Sequence, residues 1–290
     1  MNMTPKCVVC IFSQALRVCE TLHADEETTK KVLDSVACMV PRWHFDETPP
    51  QVAARVYPKI AEILHTDDIY KEYKKEATER ARRFVPYIES MIERSVDPFH
   101  ASLKAAVAGN VIDLAATTQF DLEEEVQRVF DTPFAIDDSG ALRALLEDAS
   151  RLLVIADNAG EHLFDKVMMQ HIKSIFPSIE IGYVVRGVPI INDVTCKEAK
   201  DARIDEVADI IDSGVDTPGL DLSRANAKAI EAYEKADVVI AKGMGNYESL
   251  NDNSIRPTFF LLKVKCEVVA SSLGRDVGDI VCYQGECHAK

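Results

Sequence analysis

No apolar run in this sequence approaches the roughly 20 residues that a membrane-spanning helix needs, and Met1 to Lys6 is too short and polar for a signal peptide. A soluble, cytoplasmic protein is the expectation. Basic residues are scarce beside acidic ones: 33 Lys and Arg stand against 48 Asp and Glu, a formal net charge of -15. Nucleic acid and anionic membranes are bound chiefly by Lys and Arg that neutralise phosphates, so neither is an expected partner. The phosphate-binding loop ending in Gly-Lys-Ser or Gly-Lys-Thr is missing, as is a dinucleotide Gly-x-Gly-x-x-Gly after the first strand-like run. Both absences count against P-loop nucleotide hydrolysis and hydride transfer. Internal repeats and low-complexity linkers are absent as well.

What the chain does have is enough apolar material for a full core, 47% of 290 residues, which fits one large domain or two modest ones. Its eight cysteines are scattered at 7, 10, 19, 38, 196, 266, 282 and 287, a distribution that suits free thiols in a reducing compartment. Cys7 and Cys10, three apart, make half of a zinc site. Cys282, Cys287 and His288 would complete it if the termini met, although buried free thiols are the commoner outcome. Composition leaves the oligomeric state open.

The texture of the chain changes once. From Cys7 to about Phe130 apolar residues recur at helical spacing, as in Val52, Val56, Ile60, Ile63 and Leu64, and strand-like runs are absent. Asp25 and Pro49-Pro50 mark helix starts, and the segment from Asp67 to Arg94 is laced with charge. From Leu152 onward, short apolar runs alternate with helical stretches: Leu152 to Ala156, Ile181 to Val185, Val207 to Ile211, Val238 to Ala241, Phe259 to Val264 and Ile280 to Tyr283. Continuous apolar strands separated by helices predict a mostly parallel sheet covered on both faces. The expected architecture is a helical bundle domain over residues 1–140 followed by a three-layer, doubly wound α/β domain over 141–290. The junction is expected within Asp131 to Asp148.

Ligands of such sheets bind beyond the carboxyl ends of the strands. Leu152 to Ala156 is followed by Asp157-Asn158-Ala159-Gly160-Glu161, and Ile181 to Val185 by a loop carrying Asp193 ahead of a capping box, Thr195 to Glu198. Asp157, Asn158 and Asp193 offer only oxygen donors, which suit a hard divalent cation with room for water and substrate. The competing reading of Asp157-Asn158 is a helix cap or Asx turn. After Val238 to Ala241 comes Lys242-Gly243-Met244-Gly245-Asn246-Tyr247-Glu248, where two glycines permit close backbone approach to an anion and Lys242 supplies a point charge. The competing reading is a plain turn with Lys242 in solvent. His162 and His171 follow on a helix and are placed outside the site.

These motifs resemble the signatures of the damage-control phosphatase family, formerly the domain of unknown function 89 group. The likeness rests on Asp157 to Glu161, Arg186 to Thr195 and Lys242 to Glu248 in that order. It is reinforced by Ala108 to Asp113, by Ser213-Gly214 with Pro218-Gly219, and by Leu261 to Cys266. Cys7-Val8-Val9-Cys10 resembles the family's compact microbial branch. The resemblance implies a divalent metal (Mn²⁺, Co²⁺, Ni²⁺ or Mg²⁺) held by Asp157, Asn158 and Asp193. It also implies hydrolysis of small phosphorylated metabolites such as sugar phosphates or phosphopantetheine-like compounds.

Phosphoryl transfer needs positioning and charge neutralisation more than covalent chemistry by the protein. Metal-activated water is therefore the expected nucleophile, with Glu161 or Asp113 as its base or orienting group; Asp157 as a nucleophile ranks below this. Lys242 and the amides around Gly243 are expected on the phosphate, with Arg186, Gly245, Asn246 and Glu248 as further substrate contacts. Asn110 and Asp113 would close the site from the helical half. A methyltransferase and a non-catalytic phosphometabolite-binding protein are the alternatives.

Overall fold

A computed structural model of the protein describes residues 1–111 and 119–288, of which 110, 111 and 119–122 enter only as backbone. Six helices come first: α1 (Pro5–Thr21), α2 (Glu26–Met39), α3 (Pro49–Ile63), α4 (Lys71–Glu93), α5 (Pro98–Val111) and α6 (Gln119–Asp131). Their starts follow from local chemistry. Asp25 caps α2 by accepting from the Thr28 amide at 2.7 Å. Thr48 and Gln51 form a capping box around Pro49 and Pro50, whose missing amide hydrogens would have had no partner in a first turn.

The rest is α/β: β1 (Ile136–Asp137), α7 (Ser139–Asp148), β2 (Arg151–Ile155), α8 (His162–Ile175), β3 (Glu180–Val185), α9 (Cys196–Asp201), β4 (Asp209–Asp212), α10 (Ala227–Lys235), β5 (Val238–Lys242), α11 (Gly243–Leu250), β6 (Thr258–Lys263), α12 (Glu267–Leu273) and β7 (Ile280–Gln284). The sheet order is β1-β7-β6-β5-β2-β3-β4, parallel throughout except where β7 returns antiparallel to β6. Six strands match the apolar runs of the sequence to within a residue or two. The stretch expected to hold the junction contains β1, paired with β7, and α7. Two residues are too few to show as an apolar run. The Thr195 to Glu198 capping box is present, with Glu198 accepting from the Thr195 amide at 3.0 Å.

Strand alternation sorts the core into two faces. Leu152, Val154, Val238, Ile240, Phe259 and Leu261 pack on one side, with residues of α4, α5, α6 and α8 in the same cluster. Leu153, Ile155, Val239, Ala241, Phe260 and Leu262 pack on the other, with residues of α10, α11 and α12. Helices α4 to α6 thus cover the sheet directly. Truncating a core side chain such as Phe259, fully buried, would cost about 3–5 kcal/mol. A third cluster joins α1, α2 and α3 to Ile190, with Ile191 and Val268 packed against it. Those three residues belong to loops beyond strand ends or to the start of α12, so α1 to α3 sit over the carboxyl edge of the sheet. No helix among the described residues is long and apolar enough to cross a membrane.

Candidate active site

Strand β2 pairs with β5 on one side and β3 on the other, so the chain leaves β2 and β5 in different directions. This is a topological switch point, where a crevice opens beyond the strand ends. The loop after β2 and the loop after β3 are tied across it: the Val194 amide donates to the Asp157 carbonyl at 2.9 Å and the Ala159 amide to the Asn192 carbonyl at 2.8 Å. These bonds bring Asp157, Asn158 and Asp193 together.

Asn158 Nδ2 donates to Asp157 Oδ2 at 2.9 Å and to Glu161 Oε1 at 2.7 Å. Asp193 Oδ2 accepts from Arg186 Nε at 2.8 Å, and both side chains are almost wholly buried. Burial holds the Asp193 carboxyl above the usual carboxylate range; Arg186 opposes that rise and the Asp157 charge adds to it. Glu161 is raised for the same reasons, burial first and Asp157 next, with Lys242 and Lys265 opposing. Burial lifts Glu248 to about 7, opposed by the chain's terminal ammonium and reinforced by Asp157. Asp157 is thus the common neighbour whose charge adds to the rise of all three carboxyl groups.

A cavity of about 420 Å³ opens on this cluster. Asp157, Asn158, Asp193, Gly245, Glu248 and Lys265 line it from the α/β side, and Ile11, Gln14, Pro49 and Pro50 from α1 and α3. The sequence did not single out Lys265, exposed here, as a site residue, yet its charge reaches Glu161 and its amide donates to Met244 Sδ at 3.2 Å. Only its place beside Cys266 in a quoted motif pointed to it.

Lys242 is placed differently from either sequence reading. It is fully buried and absent from the cavity wall; its ammonium donates to Asp165 Oδ1 at 2.5 Å and to the Ala106 carbonyl at 2.8 Å, with Glu161 Oε2 at 3.6 Å. The cause is strand alternation. Val238, Ile240 and Lys242 share the face covered by α5 and α8, so the side chain runs under the site. Asp165 and Glu161 outweigh the effect of burial and hold the ammonium pKa above its ordinary value.

The segment after Lys242 is not a loop: α11 begins at Gly243 itself. Asn246 is buried in its first turn, where its Nδ2 donates to the Ala156 carbonyl at 2.9 Å and its Oδ1 accepts from the Leu220 amide at 2.8 Å. Arg186 Nη2 donates to that same Ala156 carbonyl at 3.0 Å, while Arg186 Nη1 is buried with no hydrogen-bond partner among the described residues. Arg186, Asn246, Gly243 and Glu161 therefore stand behind the cavity wall. Gly245 is required because a Cβ there would overlap the Pro218 carbonyl, which fixes the loop after β4 against α11. Asp113 and the Asn110 side chain lie outside the described residues. The neighbouring Gly109 packs so closely on Glu161 that a Cβ would overlap it, so α5 ends at the site.

Among the described residues, no group of three or more His, Cys, Asp or Glu is gathered to hold a metal. The completion of a zinc site by Cys282, Cys287 and His288 is not formed: Cys282 is buried in β7, and the third thiol on the cavity wall with Cys7 and Cys10 is Cys266. His162 is fully buried, where it accepts from the Gly160 amide at 3.0 Å through Nδ1, and is neither solvated nor at the core edge.

The site is an oxygen-rich, acidic pocket at the switch point of a doubly wound sheet. Residues 3–281 match the model of the damage-control phosphatase ARMT1-like domain, and the chain belongs to that family. It is 32% identical over 288 residues to a damage-control phosphatase of Pyrococcus horikoshii, covering 99% of each chain. It is 32% identical to a damage-control phosphatase of Archaeoglobus fulgidus, over 97% of this chain and 98% of that one. Its fold superposes on the crystal structure of a DUF89 family protein from Pyrococcus horikoshii with a TM-score of 0.90 at 32% identity, covering 99% of this chain and 100% of that one.

Proposed function

We propose that the chain is a divalent-metal-dependent phosphatase of small phosphorylated metabolites. Family membership supports a phosphatase. The observation that carries the metal is the convergence of Asp157, Asn158 and Asp193 on one cavity.

The donor set fits a hard cation. Two carboxylates and an amide oxygen are few protein ligands, which suits an ion that keeps water and binds a phosphate oxygen. Asn158 has its Nδ2 on two carboxylates, so Oδ1 is the atom left for a cation. Bound there, Mn²⁺, Co²⁺, Ni²⁺ or Mg²⁺ would supply Lewis-acid charge for the phosphate and lower the pKa of a bound water.

The protein's own part is positioning. Arg186 fixes Asp193, and Asn158 links Asp157 to Glu161. Of the two lysines on the cavity wall, Lys6 is paired with Glu267, and Lys265, whose charge acts on Glu161, is the group that would hold a phosphate oxygen. Glu161 keeps a proton more readily than an ordinary carboxyl and, through Asn158, sets the orientation of the ligand amide. The apolar wall of Ile11, Pro49 and Pro50 excludes water from one side of the cavity and receives the organic part of the substrate.

A phosphate-release screen over sugar phosphates, nucleotides and cofactor fragments tests this, run on chelator-stripped protein with and without each metal. Turnover that returns only with metal is the expected result. Full activity in stripped protein would remove the metal from the mechanism.

A further inference from the structure

The buried ammonium of Lys242 has a support that lies outside the cavity. Asp165 follows Glu161 by one helical turn on α8, so both carboxylates face the same strand end. Lys242 lies between them, with Asp165 Oδ1 at 2.5 Å and Glu161 Oε2 at 3.6 Å. Asp165 is itself pinned, because Tyr183 on β3 donates to Oδ2 at 2.8 Å. Asp165, Tyr183 and Lys242 are each at most 1% exposed, and none of the three lines the cavity. A buried Lys paired with one carboxylate would satisfy the fold alone. What needs explaining is a second carboxylate just beyond hydrogen-bond reach, which is itself bonded to the candidate metal ligand Asn158.

Building on the phosphatase reading above, we propose that Asp165 is a positioning residue. It holds the Lys242 ammonium beneath Glu161, and Tyr183 fixes Asp165 in turn. By taking the nearest hydrogen bond, Asp165 keeps Lys242 from closing onto Glu161. The Glu161 carboxylate then stays on Asn158, and Asn158 stays turned toward the cavity. With the Asp165 charge removed, Lys242 has only Glu161 as a carboxylate partner among these two and draws it down, away from Asn158. The path runs from Tyr183 through Asp165, Lys242 and Glu161 to Asn158, and the substrate touches none of the first three.

The test compares Asp165→Asn, Tyr183→Phe, Lys242→Met and the double variant Asp165→Asn/Lys242→Met in steady-state phosphate release at saturating Mn²⁺. Loss of the Asp165 charge beside Lys242 should lower kcat by about ten- to a hundredfold with KM little changed, and loss of the Tyr183 hydroxyl's bond to Asp165, which leaves that charge in place, by about three- to tenfold. The double variant should be no slower than Lys242→Met, since Asp165 acts only through Lys242. Tyr183→Phe keeps the shape of the side chain and removes no charge, so it should still unfold cooperatively, at a midpoint lowered by one buried hydrogen bond, and it decides the matter if Asp165→Asn does not fold.

Nitrogen-15 lysine NMR gives a readout independent of turnover. A slowly exchanging Lys242 ammonium signal should appear in wild type, vanish in Lys242→Met and move in Tyr183→Phe. Wild-type kcat in Tyr183→Phe, or fully multiplicative losses in the double variant, would overturn the proposal. A wild-type protein without phosphatase activity but with the expected ammonium signals would instead overturn the functional reading and leave the network standing.

Discussion

Gly243 and Asp157 are in direct contact across the switch point: a Cβ on Gly243 would overlap Asp157 Oδ2, and Gly243 also holds φ at 75°. Both facts exclude a side chain there, one by space and one by backbone conformation. Gly243→Ala should cost about 1–3 kcal/mol in backbone strain and displace the Asp157 carboxylate. Phosphatase activity should fall by more than the loss of stability explains. An active, normally melting Gly243→Ala protein would show that Asp157 does not need its present position.

Lys265 is exposed, so its removal separates function from fold. Lys265→Ala should leave the melt within about 0.5 kcal/mol of wild type. If it holds a phosphate oxygen, kcat/KM should drop by about ten- to a hundredfold. Unchanged kinetics would send the phosphate to another group.

Arg186 and Asp193 form a pair with almost no solvent exposure. Arg186→Met leaves the Asp193 carboxyl buried without its partner, a change worth about 3–5 kcal/mol. A denaturant melt measures it directly, and a wild-type midpoint would mean that the carboxyl finds compensation elsewhere.

Burial depresses the His162 pKa to about 4 from an ordinary 6.5. Between those two values the unfolded chain binds a proton that the folded chain does not, so stability falls as pH drops from 6.5 toward 4 and is fully present above 6.5. Between pH 7 and pH 5 this should cost about 2 kcal/mol more in wild type than in His162→Asn, whose amide oxygen can still accept from Gly160. Parallel urea melts at the two pH values check the sign and the size.

The strands and the acidic half of the site were legible in the sequence because both depend on local order. A strand buried on both faces must be an apolar run, as Leu152 to Ile155 is, and Asp157 and Asn158 follow that run directly. Asp193 was legible from the Thr195 capping box that sets where the loop stops. Lys242 stands at the strand end, but alternation counted from Val238 turns its side chain toward Asp165 on α8 and away from the cavity. The cavity wall contributed by Ile11 and Pro49 had no sequence signal, since it depends on how α1 and α3 pack over the sheet edge. Nor had β1, whose two residues join the sheet only by pairing with β7.

Mn²⁺ binding followed by electron paramagnetic resonance tests the central assignment most directly, because it reports ligands without requiring the right substrate. Wild-type protein should bind one Mn²⁺ per chain at this site. Asp157→Asn and Asp193→Asn should each weaken that binding by at least about tenfold, a loss of about 1.4 kcal/mol, while keeping a cooperative melt. Wild-type Mn²⁺ affinity in both variants would contradict the account, because no metal would then depend on Asp157 and Asp193.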